Sequence, residues 1–358
     1  MEIIRTRSFA RAGLLGNPSD GYFGKTLSFT FTQFGVELVM TESSRIRFQQ
    51  GEVDDATFAS MDEMSRNLRL YGYYGGIRLL KATAKRFFDW CQERGIALPK
   101  RNFTVEYKIN IPRLVGLSGS SAICSAMLKA LMKFYEVTIP LEYQPTICLE
   151  AEREELRINC GFQDRVIQIY NGLVFMDFDK SFVESHNYGK YERLNDETAK
   201  RLNLYIAYDA ARAEESGEAH KEVKRLFEAK NADVLAAMSE FADIAQQGRD
   251  LLCSPSPSPS ALSAKLASLI NANFDLRDRI FHVAEENRRM VMTARAAGAS
   301  AKFAGSGGAI VGTYEDDAQF ERLKASLAEI GTVALKPTIA TSADETADFT
   351  ASGTWRNS

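Results

Sequence analysis

The sequence predicts an α+β chain folded as two domains. Three observations carry that expectation. Strand-like segments crowd the first fifty of 358 residues and then recur singly between helix-like ones. The composition shifts toward Ala, Glu and Lys from Glu214 onward, marking entry to a second unit. The chain is long enough for two ordinary domains, and its 45% apolar and 25% charged residues can bury a core in each.

Taken in order, alternating side chains predict strands at Ile3 to Leu15, Lys25 to Phe31, Gly35 to Met40 and Arg45 to Gln49. Ile77, Leu80, Ala84, Phe87 and Phe88 make one apolar stripe, so a helix is expected from Gly75 to Arg94. Phe103 to Ile111 returns to the strand period, and Ile123, Met127, Leu131 and Phe134 to the helical one. A second helix is expected from Leu141 to Leu156, with strands at Leu173 to Phe178 and Leu202 to Tyr208. Helices follow near 214–231, 233–248 and 260–297, then a glycine turn joining two short β segments, a helix near 316–329 and a strand near 332–340. The domains are drawn as 1–209 and 210–342, with a flexible tail at 343–358 and a disordered Ser-Pro insert at 254–259.

Between the strand ending at Ile111 and the helix starting near Ser121 lies Pro112-Arg113-Leu114-Val115-Gly116-Leu117-Ser118-Gly119-Ser120-Ser121-Ala122. Glycines let the backbone approach a phosphate, the first N–H groups of the helix lack partners, and the helix dipole favours an anion there. Serine hydroxyls can ligate a cation bridging phosphates. A capped helix behind a flexible loop would look the same locally, so other stretches must decide. Gly24-Lys25-Thr26 is not a P-loop end, because Ser19 replaces the required glycine and a strand follows. Gly305-Ser306-Gly307-Gly308 is not a dinucleotide fingerprint, because Ile310 stands at its last glycine.

Two carboxylates could serve such a cradle. Glu152 falls late on a helix and Asp164 follows the turn Cys160-Gly161-Phe162-Gln163, whereas Glu154 and Glu155 read as a solvated, salt-bridged face. Arg11 to Asp20 is a β-like run ending in a polar turn, which would display a guanidinium and a carboxylate to a sugar and a transferring phosphoryl group.

A net charge of -3 gives no basic footprint for nucleic acid or an anionic membrane, so a small-molecule partner is expected. No apolar run has membrane-spanning length and no secretory core opens the chain, which points to the cytosol. Five scattered cysteines and three separated histidines suggest neither disulfides nor a zinc site.

Three signatures in order, Arg11 to Asp20, Pro112 to Ala122 and Lys302 to Ala309, make the chain resemble the GHMP family of small-molecule kinases, and within it the plant-type glucuronokinase branch. The resemblance implies an N-terminal domain of the ribosomal-protein S5 type, a ferredoxin-like C-terminal domain, and ATP with Mg²⁺ in the cleft between them. It puts Asp164 on the family's base and Arg11 on the cation beside the transferred phosphoryl. ATP would lie on Gly116, Leu117, Ser118, Gly119, Ser120, Ser121 and Ala122, together with Gly305, Ser306 and Gly307. Asn17, Asp20, Tyr22, Gly307 and Gly308 would contact the sugar, and Ser120 or Ser121 with Glu152 would hold the metal. Asn17 stands where galactokinases carry a glutamate, which argues against galactose. The implied reaction is phosphorylation of a uronic acid, D-glucuronate first, at its anomeric hydroxyl by a monomer or homodimer. Galacturonate, arabinose or galactose, and a silent ATP and sugar sensor, are the alternatives. A uronate carboxylate needs a cation in a dry pocket, for which Lys25, Arg78 and Arg277 are candidates.

Overall fold

The computed structural model describes residues 3–49, 75–209, 217–254, 258–341 and 343–344. Strand β1 (Ile3–Leu15) alternates exposed and buried side chains at its start and is then buried without interruption from Ser8, because its second half is covered on both faces. It pairs antiparallel with β2 (Lys25–Ser43), a single strand of 19 residues where two were expected. The apparent turn around Thr32 to Phe34 is a bulge: the register jumps from Phe9 opposite Gly35 to Ala10 opposite Phe31, and the ladder then resumes.

The other edge of β2 is shared. Its C-terminal half pairs with β4 (Asn102–Ile109), which carries the two-residue β3 (Arg47–Phe48), and its N-terminal half pairs with β5 (Leu173–Asp177), followed by β6 (Lys190–Arg193). Helix α1 (Gly76–Glu93) buries Leu79, Leu80, Thr83, Phe87, Trp90 and Cys91. Its buried stripe is thus rotated from the expected one, and Phe88 is 49% exposed. Helix α2 (Gly119–Phe134) buries all four of its expected core residues and is central, packing on β1, β2 and α1.

The expected helix from Leu141 to Leu156 is α3 (Gln144–Glu150) continued by a π turn (Ala151–Glu155). Asp164 lies not on a turn but in the first turn of α4 (Gln163–Tyr170). The small elements α5 (Lys180–His186), β6 and α6 (Asp196–Lys200) had no apolar period to announce them. The two helices start at local caps instead, the side chains of Asp179 and Asn195 accepting from the Phe182 and Glu197 amides.

The second sheet has the order β10 (Thr332–Leu335), β7 (Leu204–Asp209), β9 (Ala309–Thr313), β8 (Lys302–Phe303), all antiparallel. Counted along the chain this is fourth, first, third, second, the order of a ferredoxin-like unit. Since β7 belongs to it, the boundary drawn at 209 falls too late and separates a strand from its sheet. One face of this sheet, with Tyr205, Ala207 and Ile310, packs on α10 (Glu285–Ala296) and α11 (Asp317–Ala328), while Leu204, Ile206 and Val311 enter the main core. Between β7 and β8 lie α7 (Gly217–Glu228), α8 (Ala232–Cys253), α9 (Pro259–Ile280) and α10. The helical stretch expected near 260–297 is therefore two helices, broken at Phe281, whose backbone turns extended. Residues 255–257 of the Ser-Pro insert, and the tail beyond Asp344, lie outside the described residues.

Candidate active site

The buried half of β1 runs between two glycine segments and bonds to both. The Arg11 amide donates to Leu117 O at 3.3 Å and the Gly13 amide to Ala304 O at 2.7 Å. The Arg11 side chain does the same. A buried guanidinium persists only if its donors are met. Here Nε donates to Asp164 Oδ1 at 2.6 Å, and Nη1 to Gly116 O at 2.7 Å and Ala304 O at 2.9 Å.

The segments touch each other because they lack side chains. Gly116 has φ +73°, and a Cβ on it would lie 2.6 Å from Gly307 O, while one on Gly305 would lie 2.3 Å from Gly116 O. Ser118 takes a left-handed conformation (φ 65°) that ends the loop and turns it into α2. The first internal bond there is from the Ala122 amide to Ser118 O, so Ala122 has no donor left for a phosphate. The amides of Gly119, Ser120 and Ser121 precede that bond, have no intrahelical acceptor and sit at the positive end of the helix. Gln168 on α4 pins the loop from behind, its side-chain amide donating to Ser118 O and Phe9 O.

Burial alone would raise the Asp164 carboxyl, but the Arg11 and Arg165 guanidiniums outweigh it, with help from the Ser118 hydroxyl, and hold it below the usual carboxylate range. Asp20, in the single-turn 3-10 helix Ser19–Tyr22, behaves oppositely. Burial and the neighbouring Asp164 charge push its carboxyl up to about 6, against the bond it accepts from the Gln163 amide at 3.2 Å. Gly161 makes room for it, since a Cβ there would sit 2.0 Å from Asp20 Oδ2.

Glu152 is fully buried on the π turn. Its Oε2 accepts from Arg165 Nε at 2.7 Å and also from Arg165 Nη2, whereas Oε1 has no partner. A buried carboxylate oxygen left unpaired is costly and marks a place for a cation. Ser121 is fully buried with its hydroxyl turned to Ser118 O at 3.3 Å, and Ser120 is half-buried. Glu154 and Glu155 pair with Arg157 and Lys85 on the surface, as expected.

Three expected sugar contacts are used elsewhere. Asn17 is buried, with Oδ1 accepting from Lys302 Nζ, so it positions a lysine. The Gly308 amide donates to Asn287 Oδ1 and its carbonyl accepts from the Asp209 amide, while Gly307 packs on Gly116. The glycine turn is therefore the floor on which the phosphate loop rests. Tyr22, by contrast, is buried with its ring edge-on to Phe227 at 4.9 Å, and its hydroxyl is pushed up to about 12 by burial and the Asp20 charge.

Sequence reasoning passed over Arg165 and Asn273. Arg165 sits between Asp164 and the apolar pair Val166-Ile167, and nothing in that local pattern marked it as buried. Asn273 accepts from the Gly16 amide at 2.6 Å and donates to Asn17 O, and nothing in its helical surroundings announced it.

Residues 78–172 match the N-terminal domain of GHMP kinases. The chain is 42% identical over 316 residues to "Probable glucuronokinase 2" of Arabidopsis thaliana, covering 86% of this chain and 84% of that one. It is 40% identical over 314 residues to "Glucuronokinase 1" of the same plant, with the same coverage. The chain belongs to the GHMP kinase family. Among solved structures it superposes on Lactococcus lactis galactokinase complexed with galactose with a TM-score of 0.73 at 15% identity, covering 94% of both chains. It matches Methanococcus jannaschii mevalonate kinase with a TM-score of 0.66 at 17% identity, covering 95% of this chain and 98% of that one. These neighbours bear out the expected two-domain fold. As a GHMP kinase the protein is an ATP-dependent phosphotransferase acting on a small molecule. Among the described residues no three His, Cys, Asp or Glu side chains cluster as a metal site, and no helix is long and apolar enough to cross a membrane.

Proposed function

We propose that this GHMP kinase transfers the γ-phosphoryl of ATP, with Mg²⁺, to the anomeric hydroxyl of D-glucuronate, giving the 1-phosphate. The observation that carries the chemistry is the Arg11 guanidinium, which joins Asp164 to both glycine segments. The kinship with the Arabidopsis glucuronokinases supports the substrate.

Phosphoryl transfer of this kind runs on positioning and charge neutralisation. The amides of Gly119, Ser120 and Ser121 hold the phosphate tail. Arg11, fixed by carbonyls on two sides, meets charge as it develops on the transferring group. Asp164, kept ionised by Arg11, accepts the hydroxyl proton, and Asp20 accepts hydrogen bonds from the sugar ring. The residues present fit Mg²⁺: the unpartnered Glu152 Oε1 and the hydroxyl of Ser120 or Ser121 are hard oxygen ligands. When bound, the ion supplies neutralisation of the phosphate oxygens.

The test is an ADP-release assay over glucuronate, galacturonate, arabinose, galactose and glucose, with ³¹P NMR to locate the phosphate. Glucuronate should give the highest kcat/KM and a product phosphorylated at the anomeric carbon. Turnover of neutral sugars without the uronates, or phosphate on another hydroxyl, would reject the reading. Binding of ATP and sugar without any product would favour a silent sensor.

A further inference from the structure

The expected cations for a sugar carboxylate are not equivalent in the structure. Lys25 is occupied, donating to Gln246 at 2.8 Å and standing 3.5 Å from Asp177. Arg78 lies exposed in the first turn of α1. Lys302 is buried, but its three protons go to Gly13 O, Asn17 Oδ1 and Phe303 O.

Arg277, in the last turns of α9, differs from all of these. It is 5% exposed, and its bonds are Nη1 to Gly305 O at 3.0 Å and Nη2 to Ser306 O at 2.8 Å. A guanidinium has five N–H donors, so three remain, among them a buried Nε without a partner. No carboxylate among the described residues lies within ion-pair distance of it, and its other neighbours are the Phe281 and Phe303 rings. A buried guanidinium with no anion beside it is expensive, and an anion arriving from outside would offset that cost. Its surroundings say which part of the substrate arrives. Arg277 bonds Gly305 O, Gly305 lies so close to Arg11 that a Cβ on it would be 2.9 Å from Nη1, and Arg11 bonds Asp164, so an arc of contacts runs from Arg277 to Asp164, with Tyr22 and Asp20 near enough to feel these charges. The anomeric hydroxyl belongs at the Asp164 end of that arc. On a pyranose ring the C6 group lies across the ring oxygen from C1, and so at the other end.

We propose that Arg277 is the specificity residue of this kinase, taking the C6 carboxylate of a uronic acid whose anomeric hydroxyl faces Asp164, with the Tyr22 hydroxyl donating beside it. This rests on the uronate reading above. The Gly305 and Ser306 carbonyls hold the guanidinium plane, leaving the second N–H of Nη1 and of Nη2 for the ligand. The lowered affinity of the buried guanidinium for its proton, about 10, follows from desolvation and is relieved by a bound carboxylate.

The experiment measures steady-state kinetics of the full chain, its Arg277→Gln and its Arg277→Lys variants, with glucuronate, the neutral amide glucuronamide, and ATP as varied substrates. For Arg277→Gln, kcat/KM for glucuronate should fall on the order of 10²–10³-fold, with KM for ATP within about threefold of wild type. The preference for glucuronate over glucuronamide should collapse by a similar factor. Arg277→Lys keeps the charge and most of the stem but cannot bond both carbonyls and a carboxylate, so it should lose on the order of 10-fold on glucuronate alone. It carries the test if the glutamine variant does not fold. Equal losses on glucuronate and glucuronamide, or a KM for ATP rising in step, would show that Arg277 only props the glycine turn and would overturn the proposal. A wild-type enzyme that turns over neutral sugars but no uronate would overturn the substrate reading itself, a result distinguishable from the variants' behaviour.

Discussion

Asp20 and Asp164 are carboxyl groups of one cleft pushed in opposite directions, and each direction suits a different task. Asp164, held ionised by Arg11 and Arg165, binds a proton weakly, which suits the proposed role of acceptor in a transfer driven mainly by charge neutralisation. Asp164→Asn should lower kcat about 10²–10⁴-fold, with ATP binding by calorimetry unchanged. Near-full turnover in that variant would remove Asp164 from the mechanism. Asp20 must be ionised to accept hydrogen bonds from the sugar, so kcat/KM for the sugar should fall as pH drops below about 6. Stability runs the other way. A carboxyl raised in the folded state stabilises the fold fully below its unfolded value of 3.8, and that contribution is lost as pH rises through about 6. Asp20→Asn should therefore be more stable than wild type at pH 7.5 by about 1–3 kcal/mol, discounted for partial exposure, and the gap should close by pH 4. A thermal-melt series over that range checks both the sign and the window.

At the scale of the element, the π turn and α4 act as a pair, because Glu152 on one is neutralised by Arg165 on the other. Removing one partner of a buried ion pair strands the second charge. Glu152→Ala should cost about 3–5 kcal/mol in urea unfolding, with Glu152→Gln recovering part of this through its hydrogen bond to Arg165. A loss under about 1 kcal/mol would mean that the pair is not structurally required.

These elements also show what could be read from the chain alone. Strands β1, β4 and β5, α2 and the phosphate loop were readable because apolar periodicity and glycine placement are local signals. The π turn, α4 as the seat of Asp164, and the continuity of β2 through its bulge were not, because packing against distant segments decides them. The same holds within the site. Arg11, Asp20, Glu152 and Asp164 could be named from motif and charge, whereas Arg165 and Asn273, and the diversion of Asn17 to Lys302, depend on contacts between residues far apart in sequence.

For the whole molecule, the decisive contact is where the phosphate loop of the first unit rests on the glycine turn of the second. A methyl group on Gly305 would meet Gly116 O at 2.3 Å and Arg11 Nη1 at 2.9 Å, so Gly305→Ala should push all three apart. Since a misplacement of roughly 1 Å costs on the order of 10²-fold in rate, kcat/KM should fall by about that factor while circular dichroism stays native. An unchanged rate would show that the two segments do not need this closeness.

Arg11 finally sets a limit on how the enzyme can open. Its guanidinium is shared between the carbonyls of Gly116 and Ala304, one from each half, and the carboxylate of Asp164. Swinging the halves wide to admit a sugar would strip Asp164 of its counter-ion at each cycle. Exchange of sugar and nucleotide should thus proceed with this joint shut, through adjustments at the rim of the cleft, leaving the centre assembled between one turnover and the next.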